Sequence, residues 1–319
     1  MHKEKKQPSI QKMFGQLFIA PWNEEEAKGE AITLITQHHI GGFLLHQEAI
    51  KKEKKIKKLT QRLQAYALQE APLLIAIDAS QDERIPVLPS LPSIQTFQAM
   101  TNRLYAEQFT EAIGDKLREL GINTIFYPSL EEEEKLDRTT LETTASYGSN
   151  LVKGFHKSEL ATCLTDYPRE DAIDLHTRSD RKSSDLYPFY KILTEQGSLL
   201  LLKDYAAETI DHYVRQHLNF NGIIIYDLRG EGNSLKSERI LDLLDAGVDC
   251  FILPEDFEYQ TAILTELFDH LEKTEKKGIV QSFHKLNQLK KAFNFDKLER
   301  EKPLTPYQRK RLIERITTS

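Results

Sequence analysis

The sequence predicts an α/β fold, a (β/α)8 TIM-type barrel. Eight short apolar runs, several rich in β-branched residues, alternate with segments of helical periodicity. A histidine or an acidic residue stands just past the C-terminal end of six of them: His46, Asp78, Asp166, Asp204, Asp227 and Glu255. In a barrel those ends share one face, where barrel enzymes carry their chemistry. The alternative, a doubly wound open sheet, would bind a dinucleotide at a glycine-rich turn after its first strand, and no such turn is present.

Residues 16–20 (QLFIA) form the first expected strand, and a helix follows over 24–37 with Ala31, Leu34 and Ile35 on one face. The second strand lies in HHIGGFLLH, ending at His46. Residues 50–68 keep helical spacing through Ile56, Leu59, Leu63 and Tyr66, and the lysine-rich run there reads as a solvated helix face. The third strand, 73–77 (LLIAI), runs into Asp78, and a proline-rich polar loop reaches Met100. A clean amphipathic helix over 104–120 is stopped by Gly121. The fourth strand is 122–126; Tyr127, Pro128 and the acidic run Glu131 to Glu134 follow it. A helix near 149–155 leads to a fifth strand over 160–164, then to a polar loop over 165–184. DLYPFYKIL opens the next helix, and LLLL at 199–202 is the sixth strand, before Lys203 and Asp204.

A helix over 207–217 precedes NFNGIIIYDLRG (219–230), which contains the seventh strand. A fully apolar, β-branched run of this kind suits a strand buried on both faces. Asp227 at its end cannot point into an apolar core without a large desolvation cost. It either stands at the rim of a parallel sheet or caps the next turn. Residues 237–244 are helical, and CFIL at 250–253 is the eighth strand, ahead of Glu255. The remainder reads as charged helix, its last segment opening at Thr305 and Pro306. The expected organisation is a barrel over 10–260 with a C-terminal helical extension, 261–319, packing on it.

The chain has 319 residues, a net charge of −6 and a pI near 6.0, so neither a nucleic acid nor a membrane is an expected partner. Cys163 and Cys250 lie in apolar runs and read as buried free thiols. No zinc-type spacing, HExxH or phosphate loop is present, so no metal and no cofactor is expected. The N-terminal MHKEKKQPSIQKMF has no apolar signal core, and the expected location is cytoplasmic unless an export signal has been trimmed away. Several carboxylates around one cleft suit glycoside hydrolysis or a hard cation.

Here the motifs reach a family. KMFGQLFIA, IGGFLLHQ, PLLIAID, EAIGDKLRELGINTIFYPSL, YGSNLVKGF, DLYPFYKIL, FNGIIIYD and LLDAGVDCFILPED stand in that order over roughly residues 10–260. Together they resemble the bacterial β-N-acetylglucosaminidases of glycoside hydrolase family 3 in their single-barrel form. The resemblance implies a retaining hydrolase of terminal β-linked N-acetylglucosamine, with Asp227 as nucleophile. It implies an Asp174–His176 acid/base dyad, in which Asp174 fixes the imidazole tautomer and His176 protonates the leaving oxygen. It implies sugar contacts from Asp78, and from Arg84 if one residue is inserted. The ligand implied is an amino-sugar glycoside.

The chain departs from the family pattern at several of these places. Where the family reads glutamine-glutamate-glycine-glycine-arginine after the aspartate, this chain reads Ala79-Ser80-Gln81-Asp82-Glu83-Arg84 and lacks the glycine pair, and an arginine before the serine–aromatic–glycine triplet is replaced by Ala145. A lysine–histidine pair has become Thr165-Asp166, and a histidine at a strand end has given way to Lys203 or Asp204. Asp166 and Asp204 are thus expected beside the sugar and near Asp227, where like charges would raise one another's pKa. The expected function is a family 3 glycosidase of impaired activity or altered specificity. The alternative is a non-catalytic carbohydrate-binding or scaffold protein, with the C-terminal extension as a candidate surface for a protein partner.

Overall fold

The computed structural model describes residues 8–67, 71–80, 85–91, 104–130, 138–167, 186–197, 199–271, 275–297 and 302–317. Eight parallel strands close a barrel in sequence order: β1 (Phe18–Trp22), β2 (Gly42–Leu45), β3 (Leu74–Asp78), β4 (Thr124–Ser129), β5 (Ala161–Thr165), β6 (Leu199–Leu202), β7 (Ile224–Asp227) and β8 (Cys250–Ile252). Closure is made by β1 on β8, with Phe18 opposite Phe251 and Ile19 opposite Ile252.

Strand periodicity divides the apolar residues between two layers. On β3, Leu74 and Ala76 belong to the barrel interior, while Ile75 and Ile77 face the surrounding helices. Both faces are therefore dry, which is why these strands read as unbroken apolar runs rather than alternating ones. Cys163 and Cys250 are both buried in the interior layer.

The strand at 16–20 shifts to Phe18–Trp22. A six-residue helix, Ile10–Gly15, precedes it, with Ser9 Oγ accepting from the Lys12 amide at 3.3 Å. Gln16 caps that helix, and its side-chain amide donates to the carbonyls of His39 (2.8 Å) and Ile40 (3.2 Å). The two glycines of IGGF follow directly from this close packing. A Cβ on Gly41 would lie 1.8 Å from the Gln16 carbonyl oxygen, and one on Gly42 would lie 2.4 Å from that of Leu74. β4 begins later than expected and runs on through Tyr127 and Pro128 to Ser129. Ahead of it, the Asn123 side chain imitates a strand: Oδ1 accepts from the Ile75 amide and Nδ2 donates to the Leu73 carbonyl, both at 2.8 Å. Helix Leu104–Glu119 ends before Gly121, whose φ of +78° is the left-handed conformation that glycine adopts freely. Helix Arg138–Lys157 is much longer than the expected 149–155, because its first half is rich in threonine rather than apolar residues.

Beyond β8, helix Phe257–His270 crosses residue 260 without interruption and packs as a barrel helix. Helix Lys276–Ala292 lies across the N-terminal mouth of the barrel. Leu286, and Phe295 just after the helix, join the interior cluster. Asp249, 2% exposed, gathers this end: it accepts from the Ile224 amide (3.0 Å), Ser282 Oγ (2.9 Å) and Lys285 Nζ (3.0 Å), and it pairs with Arg215. Lys290 from the same helix donates to Gln16 Oε1 at 2.8 Å. Farther on, Arg118 donates to the carbonyls of Asn294 and Lys297, and Arg309 of helix Pro306–Thr317 pairs with Glu119 at 2.7 Å. No helix among the described residues is long and apolar enough to cross a membrane.

Candidate active site

The C-terminal face of the barrel is open to its loops, and two carboxylates meet there. Asp78 is the last residue of β3 and Asp227 the last of β7. Each follows a buried apolar strand, so the backbone is held rigidly while the side chain escapes the core. Asp78 Oδ1 accepts from the amide and the hydroxyl of Ser80 at 3.0 and 2.6 Å. Asp227, with only a tenth of its side chain exposed, accepts from the Arg229 amide at 3.0 Å.

The guanidinium of Arg229 then folds back onto the same carboxylate. Nε lies 2.9 Å from Oδ1 and 3.1 Å from Oδ2, and Nη2 lies 2.7 Å from Oδ2. Nη2 is also 3.7 Å from Asp78 Oδ2, so one arginine bridges the two carboxylates. Burial works against the charge of Arg229. Its hydrogen bonds to Asp227 and the fields of Asp227, Asp78 and Glu255 outweigh that, and its pKa lies above the usual arginine range. What Asp227 meets is therefore a cation two residues along its own chain, where the sequence pointed to crowding by Asp166 and Asp204. Arg229 was hidden from sequence reasoning because nothing in YDLRG says which way its side chain turns. The faint signal was an arginine two residues past a strand-end aspartate, within reach of a backbone turn onto it.

Asp166 and Asp204 sit just past β5 and β6, both with positive φ (56° and 60°). Asp166 accepts from Thr165 Oγ1 at 2.9 Å, and Asp204 is exposed. No hydrogen bond or ion pair joins either of them to Asp227 or Asp78. Arg84, Asp174 and His176 lie outside the described residues, as does the run Glu131 to Glu134. Among the described residues no group of three or more His, Cys, Asp or Glu is arranged to hold a metal ion.

Behind the site, Tyr226 anchors β7 to the segment after β6. Its hydroxyl donates to the Tyr205 carbonyl (3.0 Å) and accepts from the Tyr205 amide (3.1 Å) and Arg239 Nη2 (3.0 Å). On the other flank, His46 Nε2 stands 3.8 Å from Glu255 Oε1, linking the ends of β2 and β8.

A closed barrel with a strand-end aspartate on β7 occurs in many enzymes, and the fold alone does not choose among them. The sequence does: residues 9–289 match the model of the glycosyl hydrolase family 3 N-terminal domain. The chain belongs to glycosyl hydrolase family 3. A beta-hexosaminidase A of Pseudoalteromonas piscicida is 23% identical over 283 residues, covering 70% of this chain and 47% of that protein. The chain thus spans about half the length of this relative. A family 3 beta-N-acetylglucosaminidase from Paenibacillus sp. str. FPU-7 superposes with a TM-score of 0.81 at 23% identity, covering 98% of this chain and 68% of that one. A beta-N-acetylhexosaminidase from Beutenbergia cavernae DSM 12333 gives a TM-score of 0.74 at 16% identity, covering 89% and 99%. At these identities the structures establish a shared barrel. Within the family frame, the conspicuous local feature of this chain is the Arg229 bridge.

Proposed function

We propose that this chain is a glycosidase acting on β-linked amino sugars by the retaining route, with Asp227 as nucleophile and Asp78 as a sugar ligand. The observation that carries this reading is the convergence of these two carboxylates, from opposite sides of a family 3 barrel, on one point of its C-terminal face. The names of the relatives supply the substrate class: each of those cited is a hexosaminidase or an acetylglucosaminidase. The acid in this reading is His176, oriented by Asp174. Retention requires the nucleophile and the acid to flank the scissile bond closely.

Arg229 shapes the expected rate. A carboxylate held by a bidentate guanidinium must give up charge-assisted hydrogen bonds, worth ~1.5–3 kcal/mol apiece, before it attacks an anomeric carbon. Each ~1.4 kcal/mol added to the barrier is a factor of ten in rate. Slow turnover is therefore expected, together with sugar contacts changed at Ala145, Asp166 and Asp204. The same bridge favours the second reading, a protein that holds a saccharide without cleaving it.

Hydrolysis of an aryl N-acetyl-β-glucosaminide by the wild type and by Asp227→Ala, at matched concentration, separates the two. Turnover that disappears in the variant supports the glycosidase. Equal signals from both proteins on every aryl sugar tried would overturn it and leave the binding reading.

A further inference from the structure

Between two buried leucines, Leu228 and Leu235, the chain leaves the barrel wall for six residues, Arg229–Ser234. The ends of this segment are fixed: the Leu228 amide donates to the Ile252 carbonyl at 3.0 Å, and the Leu235 carbonyl accepts from the Tyr259 hydroxyl. None of the residues described between them is buried. Two tight turns meet at Gly232, whose φ of 50° is a conformation that favours glycine. Gly230 is a different case. Its φ is not positive, and a Cβ there would meet nothing within 4 Å, so neither conformation nor packing calls for glycine. What glycine adds at 230 is backbone freedom, directly after Arg229.

Among the described residues, two side-chain pairings tie this excursion to the barrel. At its start, Arg229 bridges Asp227 and Asp78. At its middle, Glu231 lies 3.6 Å from Arg239 Nε. Arg239 is itself well anchored, donating to the Tyr205 carbonyl (2.6 Å) and the Tyr226 hydroxyl (3.0 Å). Glu231 and Arg239 are each about 30% exposed, so water competes for their pairing. Fixed ends, an unburied middle and two solvent-touched ion pairs are the features of a unit that opens locally while the core stays folded.

We infer that Arg229–Ser234 is a gate over Asp227, pivoting at Gly230 and Gly232, with the Glu231–Arg239 pair as its latch. Closed, it lays the guanidinium across both oxygens of Asp227. Opening breaks the latch, withdraws Arg229 and leaves Asp227 and Asp78 to the cleft. Glu231 and Arg239 are positioning residues, since they act on Asp227 only through Arg229. Hinges of this kind absorb a backbone rotation in a few residues and set how often a site is open. The effect of the gate on turnover rests on the reading of Asp227 as nucleophile; the motion itself does not.

The motion is measured without turnover. Cys163 and Cys250 are the two cysteines of the sequence and both are buried, so Ser234→Cys adds one accessible thiol for a nitroxide spin label. The loss of the Ser234 hydroxyl bond to the Glu231 carbonyl is then common to every sample. In this background Glu231→Gln is expected to raise the ratio of mobile to immobilised label about threefold, the scale of a partly exposed ion pair. Gly230→Ala, which fits the closed conformation but restricts the backbone, is expected to lower it about twofold. Lys236→Gln, an exposed charge beside the segment, is the control and should leave it unchanged. On an aryl N-acetyl-β-glucosaminide, Glu231→Gln is expected to raise kcat about threefold with Arg229 present and not at all in Arg229→Ala. A ratio that fails to rise in Glu231→Gln or to fall in Gly230→Ala would overturn the gate, and so would a kcat gain that survives in Arg229→Ala. The expected label shifts in a protein without turnover would support the gate and count against the hydrolytic reading alone.

Discussion

At the scale of single residues, the pairing of Asp227 with Arg229 bears on the proposed role of Asp227 as nucleophile. A nucleophile needs a free lone pair, and here both carboxylate oxygens are engaged by one side chain. Arg229→Ala is therefore expected to raise kcat/KM for an activated aryl N-acetyl-β-glucosaminide by about tenfold, the equivalent of releasing ~1.4 kcal/mol of ground-state pairing. The Arg229→Ala/Asp227→Ala double variant serves as the zero. A single variant no faster than the wild type would mean that the bridge does not restrain the nucleophile. The aspartate was readable in the sequence because an apolar strand cannot bury it. Its partner was not, because the path of a long flexible side chain depends on the three-dimensional placement of Asp78, which arrives from four strands away.

At the scale of elements, the barrel was legible and its seams were not. All eight apolar runs became strands, since burial on both faces writes itself into composition. The offsets arose at strand beginnings. Gln16 looked like strand but caps a helix, and Asn123, just ahead of β4, adds side-chain amide bonds to its main-chain bonds with the neighbouring strands. Helix Arg138–Lys157 was read short because threonine is a weak helix former whose tertiary setting overrides its propensity. The start of β2 shows how tight one such seam is. Gly41→Ala drives a methyl group into the Gln16 carbonyl, which is backbone and cannot swing aside. A loss of about 1–3 kcal/mol or more in urea unfolding is expected. Gly230→Ala, where a Cβ meets nothing within 4 Å, is the control and should stay within about 0.5 kcal/mol. Equal stabilities for the two variants would remove this account of the glycine pair.

At the scale of the whole molecule, the base of the barrel carries a titratable group that couples stability to pH. Burial lowers the Lys290 ammonium to about 7, only slightly offset by Cys250. Below that value both folded and unfolded chains hold the proton, and the cost of burying the charge is felt in full. Between about 7 and the unfolded value near 10.4, only the unfolded chain is protonated, so stability rises with pH. Relative to Lys290→Met, the wild type is expected to gain up to ~1.4 kcal/mol per pH unit across that window, as read from paired urea unfolding curves. A difference independent of pH would show that Lys290 keeps its proton through hydrogen bonds to Gln16 and Gly41.

The Gln16–Lys290 contact joins residues 274 positions apart. During synthesis this places a constraint on order. Until residues 250–252 have been made, β1 has one bare edge, and until Lys290 follows, the floor of the barrel stands open. A ribosome must deliver residues 250–252 before the ring can shut. For most of its birth, the chain is an unclosed sheet with an edge available for pairing, and shelter of that edge falls to the cell rather than to the fold.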